Sequence, residues 1–131
     1  FDIDYTGLEI NKEFVEQSKI TFPKGKFILG DINQLDVQDP VYDYCFASGI
    51  YNLGIKKETQ EAFVHDFKSI IKVSKLACGV NFLSSKSQNQ DSVSVYHEPS
   101  EIIYLIENQL FCEYEIIENY LPNDITFILK K

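Results

Sequence analysis

Tyr42-Asp43-Tyr44-Cys45-Phe46-Ala47-Ser48-Gly49-Ile50-Tyr51-Asn52-Leu53-Gly54 is the stretch on which the fold turns. Its first seven residues are β-prone and nearly apolar on both faces toward their end, as in a central parallel strand covered on both sides. Gly49 to Gly54 reads as a loop. From Lys57 to Lys75, Phe63, Phe67, Ile70 and Ile71 recur at the period of an amphipathic helix. Leu76 to Leu83 is apolar and β-prone again. Strand, loop, helix and strand make a βαβ unit, and such a unit joins parallel strands.

Outward from this unit the alternation continues. Upstream, Tyr5 to Ile10 predicts a strand, and Asn11 offers an N-cap to a helix with Phe14, Val15 and Ser18 on one face. Glu13 and Glu16 suit the positive end of that helix. Phe22-Pro23-Lys24-Gly25 stops it, and Lys26 to Leu29 is a strand ended by Gly30-Asp31. Ile32 to Pro40 reads as a loop or short helix. Downstream, Ser84 to Glu98 is a polar stretch of 15 residues, and an unstructured loop of that length is usually functional or disordered. Pro99-Ser100 opens a helix with Ile102, Ile103, Leu105, Ile106 and Leu110 on its apolar face. Phe111 to Glu118 and Ile125 to Lys130 read as strands flanking the turn residues Leu121-Pro122-Asn123-Asp124, and pair as an antiparallel hairpin. The order predicts an α/β fold: a three-layer sandwich with a Rossmann-like, mostly parallel sheet and a terminal antiparallel β-hairpin.

Composition narrows the function. The chain has 131 residues, 44% hydrophobic and 24% charged, which suits a single domain and is too apolar for disorder. No apolar run approaches a membrane span. A net charge of −8 without a local basic patch repels phosphate backbones, so no nucleic acid is expected as partner. Cys45, Cys78 and Cys112 are far apart in apolar runs, which predicts buried free thiols in a reducing compartment and no metal. No signal peptide or lipidation motif is visible, so the cytoplasm is the expected location. The chain holds no Met and begins at Phe1 in sequence that runs straight into a strand. This raises the expectation that residues 1–131 are one incomplete domain with an N-terminal piece missing.

In open parallel sheets ligands bind beyond the carboxyl ends of the strands. The predicted ends are Glu9, Gly30-Asp31 and Ser48-Gly49-Ile50-Tyr51. Two carboxylates, 22 positions apart, fall on one rim of neighbouring strands. One can accept from vicinal ribose hydroxyls and the other from an exocyclic amine, which points to a nucleoside-bearing cofactor. Acidic residues at strand ends also serve as solvated loop charges or helix caps.

Here the residues resemble a family. Tyr5 to Asn11, then Gly30-Asp31, then Tyr42 to Leu53 are similar to successive motifs of class I S-adenosylmethionine-dependent methyltransferases. Asn119 to Phe127 resembles the terminal hairpin of one bacterial subgroup whose acceptors are mostly unknown. The resemblance implies S-adenosylmethionine as cofactor and S-adenosylhomocysteine as product. It implies that Glu9 binds the ribose, Ile10 packs on the adenine, Asp31 contacts the adenine amine and Ile32 offers its backbone N–H to the ring. Ser48, Gly49 and Ile50 then lie under the methionine and the methyl group, with Tyr51 and Asn52 facing the acceptor. Tyr96 and His97, at the end of the polar loop, are further candidates for acceptor contact, although a His before a helix start is commonly a surface or capping residue. No catalytic residue is assigned, because methyl transfer from a sulfonium needs alignment and a dry site more than a nucleophile or metal.

The sequence departs from the family pattern in one respect: none of its six glycines forms the glycine-rich loop expected upstream of Tyr5. Two expectations follow. The resemblance starts at the family's second strand, so the sheet lacks its central strand; the slot this leaves closes or is filled by a second copy's strand in a homodimer, and this chain binds the cofactor weakly by itself. The third strand ends in Ser48-Gly49-Ile50, not in Asn or Asp followed by two prolines. That argues against amino-group methylases of adenine or glutamine and leaves a small-molecule, sugar or lipid-linked acceptor. Two other readings stay open: a nicotinamide- or nucleotide-sugar-binding Rossmann enzyme, and a non-catalytic methyltransferase-like scaffold.

Overall fold

The structure is a computed structural model that describes residues 2–131. The chain forms two compact units that divide between Asp36 and Val37.

The first unit is a βαβ element. Strand β1 (Thr6–Glu9) lies parallel to β2 (Lys26–Leu29), with Thr6 opposite Lys26 and Glu9 opposite Leu29. Helix α1 (Lys12–Thr21) connects them. Asn11 caps it: its side-chain oxygen accepts from the N–H groups of Glu13 at 2.9 Å and Phe14 at 3.4 Å, satisfying two donors that the helix itself leaves unpaired. Phe22 N–H closes the last turn on Ser18 O, and Pro23 cannot continue the helix. Among the described residues of this unit Val15 is the one buried apolar side chain, while Phe14 is 60% exposed and Ile10 77%.

The second unit carries a four-stranded sheet in the order β3-β4-β6-β5, from β3 (Tyr42–Ser48), β4 (Ser74–Leu83), β5 (Glu113–Ile117) and β6 (Asp124–Lys130). Strands β3 and β4 are parallel, and β6 runs antiparallel to both β4 and β5. Helix α2 (Lys56–Val73) links β3 to β4, and α3 (Pro99–Leu105), extended by a wide π turn over Ile106–Leu110, precedes β5. Side chains alternate between the faces of a strand. Accordingly Ala47, Val80, Phe82, Phe127 and Leu129 are buried on one face, together with Phe63 and Phe67 of α2 and Ile102 of α3. Phe82 stands at the centre, its ring 5.2 Å from that of Phe63 and 6.2 Å from that of Phe127. Residues of the other face, among them Tyr44, Phe46, Glu113 and Glu115, stay exposed.

Several expectations are corrected. The ladders among the described residues form two sheets, not one mostly parallel sheet, and two of the four strand pairings are antiparallel. Among the described residues strand β3 is an edge strand, not a central one: it pairs there only with β4, and Phe46 is 72% exposed. Its apolar residues toward the end mimic a doubly covered strand because Phe46 lies across Gly79, where a Cβ would come within 2.7 Å of the ring. Helix α2 ends two residues early because Ser74 turns the chain into β4, donating both its N–H and its Oγ–H to Ile70 O. The cysteines are free, but only Cys78 is buried, and Cys45 and Cys112 are half-buried. Residues 84–98 are ordered by two β-bridges, Leu53 with Ser94 and Ser84 with His97. No helix among the described residues is long and apolar enough to cross a membrane.

Candidate functional site

Each unit presents a rim at the carboxyl ends of its parallel strands. In the first unit the register sets Glu9 opposite Leu29, so Glu9 and Asp31 emerge at the same end. Gly30 N–H donates to Glu9 O at 3.0 Å and continues the ladder one step beyond the strand. Glu9 Oε1 accepts from Asn11 N–H at 2.8 Å, which fixes the carboxylate at the strand end. Asp31 Oδ1 accepts from Asn33 N–H at 2.8 Å and caps a short 3₁₀ turn over Ile32–Gln34. Both carboxylates are half-buried, as is Ile32, whereas Ile10 projects into solvent. The capping roles are real, and they leave each carboxylate further acceptor sites. Such a pair suits a ligand that presents hydroxyl and amine donors side by side.

In the second unit Ser48, Gly49 and Ile50 follow β3 and are exposed. Gly49 has a φ of +72°, which L side chains rarely adopt, and a Cβ there would meet nothing within 4 Å. The backbone is thus open to close approach at this turn.

The candidates that follow Ile50 go inward. Tyr51 is 2% exposed, packed among Phe63, Phe67 and Phe82, and its hydroxyl donates to Asp66 Oδ2 at 3.0 Å. Burial, and then the adjacent Asp66 charge, push the phenol well above its ordinary range. Asn52 is a splice: its Oδ1 accepts from Leu83 N–H at 3.1 Å and its carbonyl from Val95 N–H at 2.8 Å. His97 is fully buried, so the surface or capping role weighed for it does not describe it. Its ring packs edge-on to Phe82, and its Nε2 lies 2.9 Å from Tyr51 O. A carbonyl only accepts, so Nε2 carries the proton. Nδ1 is buried without a partner. Protonating it would place an unpaired N–H in the core, and desolvation accordingly holds the His97 pKa below its ordinary value. Tyr96 is half-buried and turned to its own loop, its hydroxyl bonded to Asp91. Asp91 gathers the N–H groups of Val93 and Ser94 as well, which lowers its pKa to about 2.

The structure thus brings Glu9 and Asp31 to one rim, and separately ties Tyr51, Asn52 and His97 into one hydrogen-bonded knot beneath the exposed Ser48-Gly49-Ile50 turn. Reading the sequence missed Asp66, the acceptor for Tyr51. Its signal was its place among Phe63, Phe67 and Ile70, beside the apolar stripe of α2. Also missed was a network at the carboxyl end of β4, where Asn81, opposite Ser48, donates to Asp124 Oδ1 at 2.7 Å and to the Tyr120 hydroxyl at 3.0 Å. Among the described residues no group of three or more His, Cys, Asp or Glu is placed to hold a metal ion.

No protein-family profile matches the sequence, and no curated protein matches it. Solved structures do match. The PH0226 protein from Pyrococcus horikoshii OT3 superimposes with a TM-score of 0.71 at 15% identity, over 98% of this chain and 71% of that one. An S-adenosylmethionine-dependent methyltransferase from Clostridium acetobutylicum ATCC 824 gives 0.67 at 10% identity, over 98% and 75%. Magnesium protoporphyrin IX methyltransferase from Synechocystis PCC 6803, with S-adenosylhomocysteine bound, gives 0.63 at 11% identity, over 96% and 64%. At these identities the likeness is one of fold, a fold shared with solved S-adenosylmethionine-dependent methyltransferases.

Proposed function

We propose that a chain with this fold takes part in methyl transfer from S-adenosylmethionine to a small, non-nucleic-acid acceptor. The observation that carries the reading is the pair Glu9 and Asp31, held at one rim by the register of β1 and β2. In this reading Glu9 accepts from the vicinal ribose hydroxyls and Asp31 from the adenine amine. Ile10 and Ile32 flank the ring, with the Ile32 N–H directed to it; the Ser48-Gly49-Ile50 turn belongs to the second unit. The bound cofactor supplies a methyl group activated by a positively charged sulfur. The chain's own work is to align and to exclude water, and no general base is assigned. The knot of Tyr51, Asn52 and His97 supports the turn from below. The acceptor identity, the three-layer Rossmann-like arrangement with its terminal hairpin, and pairing of two copies as a homodimer belong to the same proposal.

The test is an NMR titration of the 131-residue chain with S-adenosylhomocysteine and, in parallel, with NAD. Weak binding of S-adenosylhomocysteine is expected, with amide shifts at Glu9, Ile10 and Ile32 that disappear in Glu9→Gln and Asp31→Asn. Equal or stronger shifts with NAD would favour a nicotinamide enzyme. No shifts at this rim with either ligand at millimolar concentration would leave a non-catalytic scaffold as the reading.

A further inference from the structure

Two of the three cysteines of the second unit meet across a strand pair. Cys45 of β3 and Cys78 of β4 are direct partners in the parallel ladder, so both side chains leave the sheet on the same face. It is the inner face, shared with the next inward pair, Ala47 and Val80. Paired strands lie about 4.8 Å apart, inside the Cα separation of roughly 4.4–6.8 Å that a disulfide spans. Ser74, where α2 passes into β4, is buried, and its Oγ–H donates to Ile70 O at 2.7 Å. The same hydroxyl acts on both sulfurs, so the two thiols converge on one point of the core.

The two thiols differ in access. Cys78 is 3% exposed, whereas Cys45 is half-buried on the strand that forms the edge among the described residues. Burial pushes the Cys78 thiol up to about 12; the neighbouring Cys112 and Cys45 add to the rise, and Lys131 and Ser74 oppose it. Burial raises Cys45 too, against the Ser74 hydroxyl. Both groups are therefore protonated at neutral pH and react slowly, through a small thiolate fraction. Cys112 is a third, half-buried thiol just before β5, with its Sγ 3.5 Å from Leu110 O. Strand β6 lies between β5 and β4. That sets β5 about two strand spacings, roughly 10 Å, from β4, beyond the reach of a disulfide.

We propose that Cys45 and Cys78 form a reversible disulfide when the chain meets hydrogen peroxide, with Cys45 as the attacking and Cys78 as the resolving thiol. In the first step the Cys45 thiolate attacks one peroxide oxygen. An S–O bond forms, the O–O bond breaks, and hydroxide leaves to take up the thiol's proton as water. In the second step the Cys78 sulfur attacks the sulfur of the Cys45 sulfenic acid. The S–S bond forms, the S–O bond breaks, and the hydroxyl leaves with the Cys78 proton as a second water. Two thiols are oxidised by two electrons in all, and one peroxide is reduced by two. The bond fastens β3 to β4 three residues before Ser48. The proposal stands apart from the methyl-transfer reading, because every residue it uses belongs to the second unit and no cofactor takes part.

The experiment treats the folded 131-residue chain with hydrogen peroxide at pH 8.5, where the thiolate fraction is larger. Remaining thiols are then alkylated in denaturant and the peptides mapped by mass spectrometry. The expected main product is a Cys45–Cys78 link, short by two hydrogens, with Cys112 alkylated, and dithiothreitol returns both thiols. Cys45→Ala alters a half-buried side chain on an edge strand and should keep a dispersed amide spectrum; the link is then lost and Cys78 stays reduced. Cys78→Ala removes the resolving thiol and should raise dimedone capture of a Cys45 sulfenic acid at least about tenfold over the unsubstituted chain. Cys112→Ala should leave the link unchanged. In urea, where the strand register is gone, all three pairings should form. The proposal is overturned if the folded chain gives the three pairings in similar amounts, if Cys112 takes part in the main link, or if Cys45 stays reduced or stops at the sulfenic acid with Cys78 present. No S-adenosylhomocysteine is used, so a failed cofactor titration leaves this result standing.

Discussion

The unit up to Asp36 and the unit from Val37 onward each join parallel strands through a helix, but they are held in different ways. The second unit buries Phe63, Phe67, Phe82 and Phe127 completely, in a cluster of rings between its sheet and α2. Among its described residues the first buries Val15 alone and leaves Phe14, Ile20 and Phe22 exposed. Its order comes from local devices: the Asn11 cap, the Glu9–Asn11 and Asp31–Asn33 bonds, and an ion pair between Lys26 and Asp4. A segment with so little core opens at low free energy and responds strongly to whatever binds it. Among the described residues the second unit is thus held by its core and the first by capping and local hydrogen bonds.

The contrast is open to direct attack. Phe82→Ala should destabilise the second unit by about 3–5 kcal/mol in denaturant unfolding, because it empties the centre of the ring cluster. A loss below about 1 kcal/mol would mean that the core is not tightly packed. Asn52→Ala removes the acceptor of the Leu83 N–H and should cost roughly 1–3 kcal/mol, with the amides of Val95 and His97 exchanging faster. In the first unit, Asn11→Ala should cost about 1 kcal/mol and speed exchange in α1 without touching α2. If α2 responded as well, the two units would not be separate in stability.

His97 gives the second unit a pH signature. Its folded pKa lies below the ordinary value of 6.5, so the unfolded chain takes up the proton first. The stability it contributes is complete above that value and declines as pH falls below it. His97→Gln should flatten this decline in a series of melts from pH 7.5 to 5, and an unchanged slope would assign the decline to other groups. At the bottom of the scale, Lys12→Ala breaks an exposed pair with Glu16 and should cost no more than about 0.5 kcal/mol.

Much of this was legible in the sequence, and the misses have physical causes. Phe63, Phe67 and Ile70 at helical spacing identified α2, and Gly30-Asp31 marked the end of β2. Edge and centre, however, cannot be told apart from β3 itself, since Phe46 covers a glycine of the neighbouring strand. The polar residues 84–98 looked unstructured because their partners, Asn52 and Leu53, lie over thirty positions upstream. Glu9 and Asp31 could be placed on one rim because the parallel register follows from the βαβ order. Tyr51 and His97 could not be seen as buried, because either type is found at surfaces and in cores alike.

The central claim is that the thinly cored unit is the one a nucleoside cofactor orders. Amide hydrogen exchange of the chain, with and without S-adenosylhomocysteine at about one hundred times its dissociation constant, tests this directly. The account predicts slowed exchange across residues 6–13 and 28–34, by up to about a hundredfold, while residues 60–83 stay unchanged. Slowing confined to residues 60–83, or no slowing at Glu9 and Asp31 with ligand bound, would contradict it.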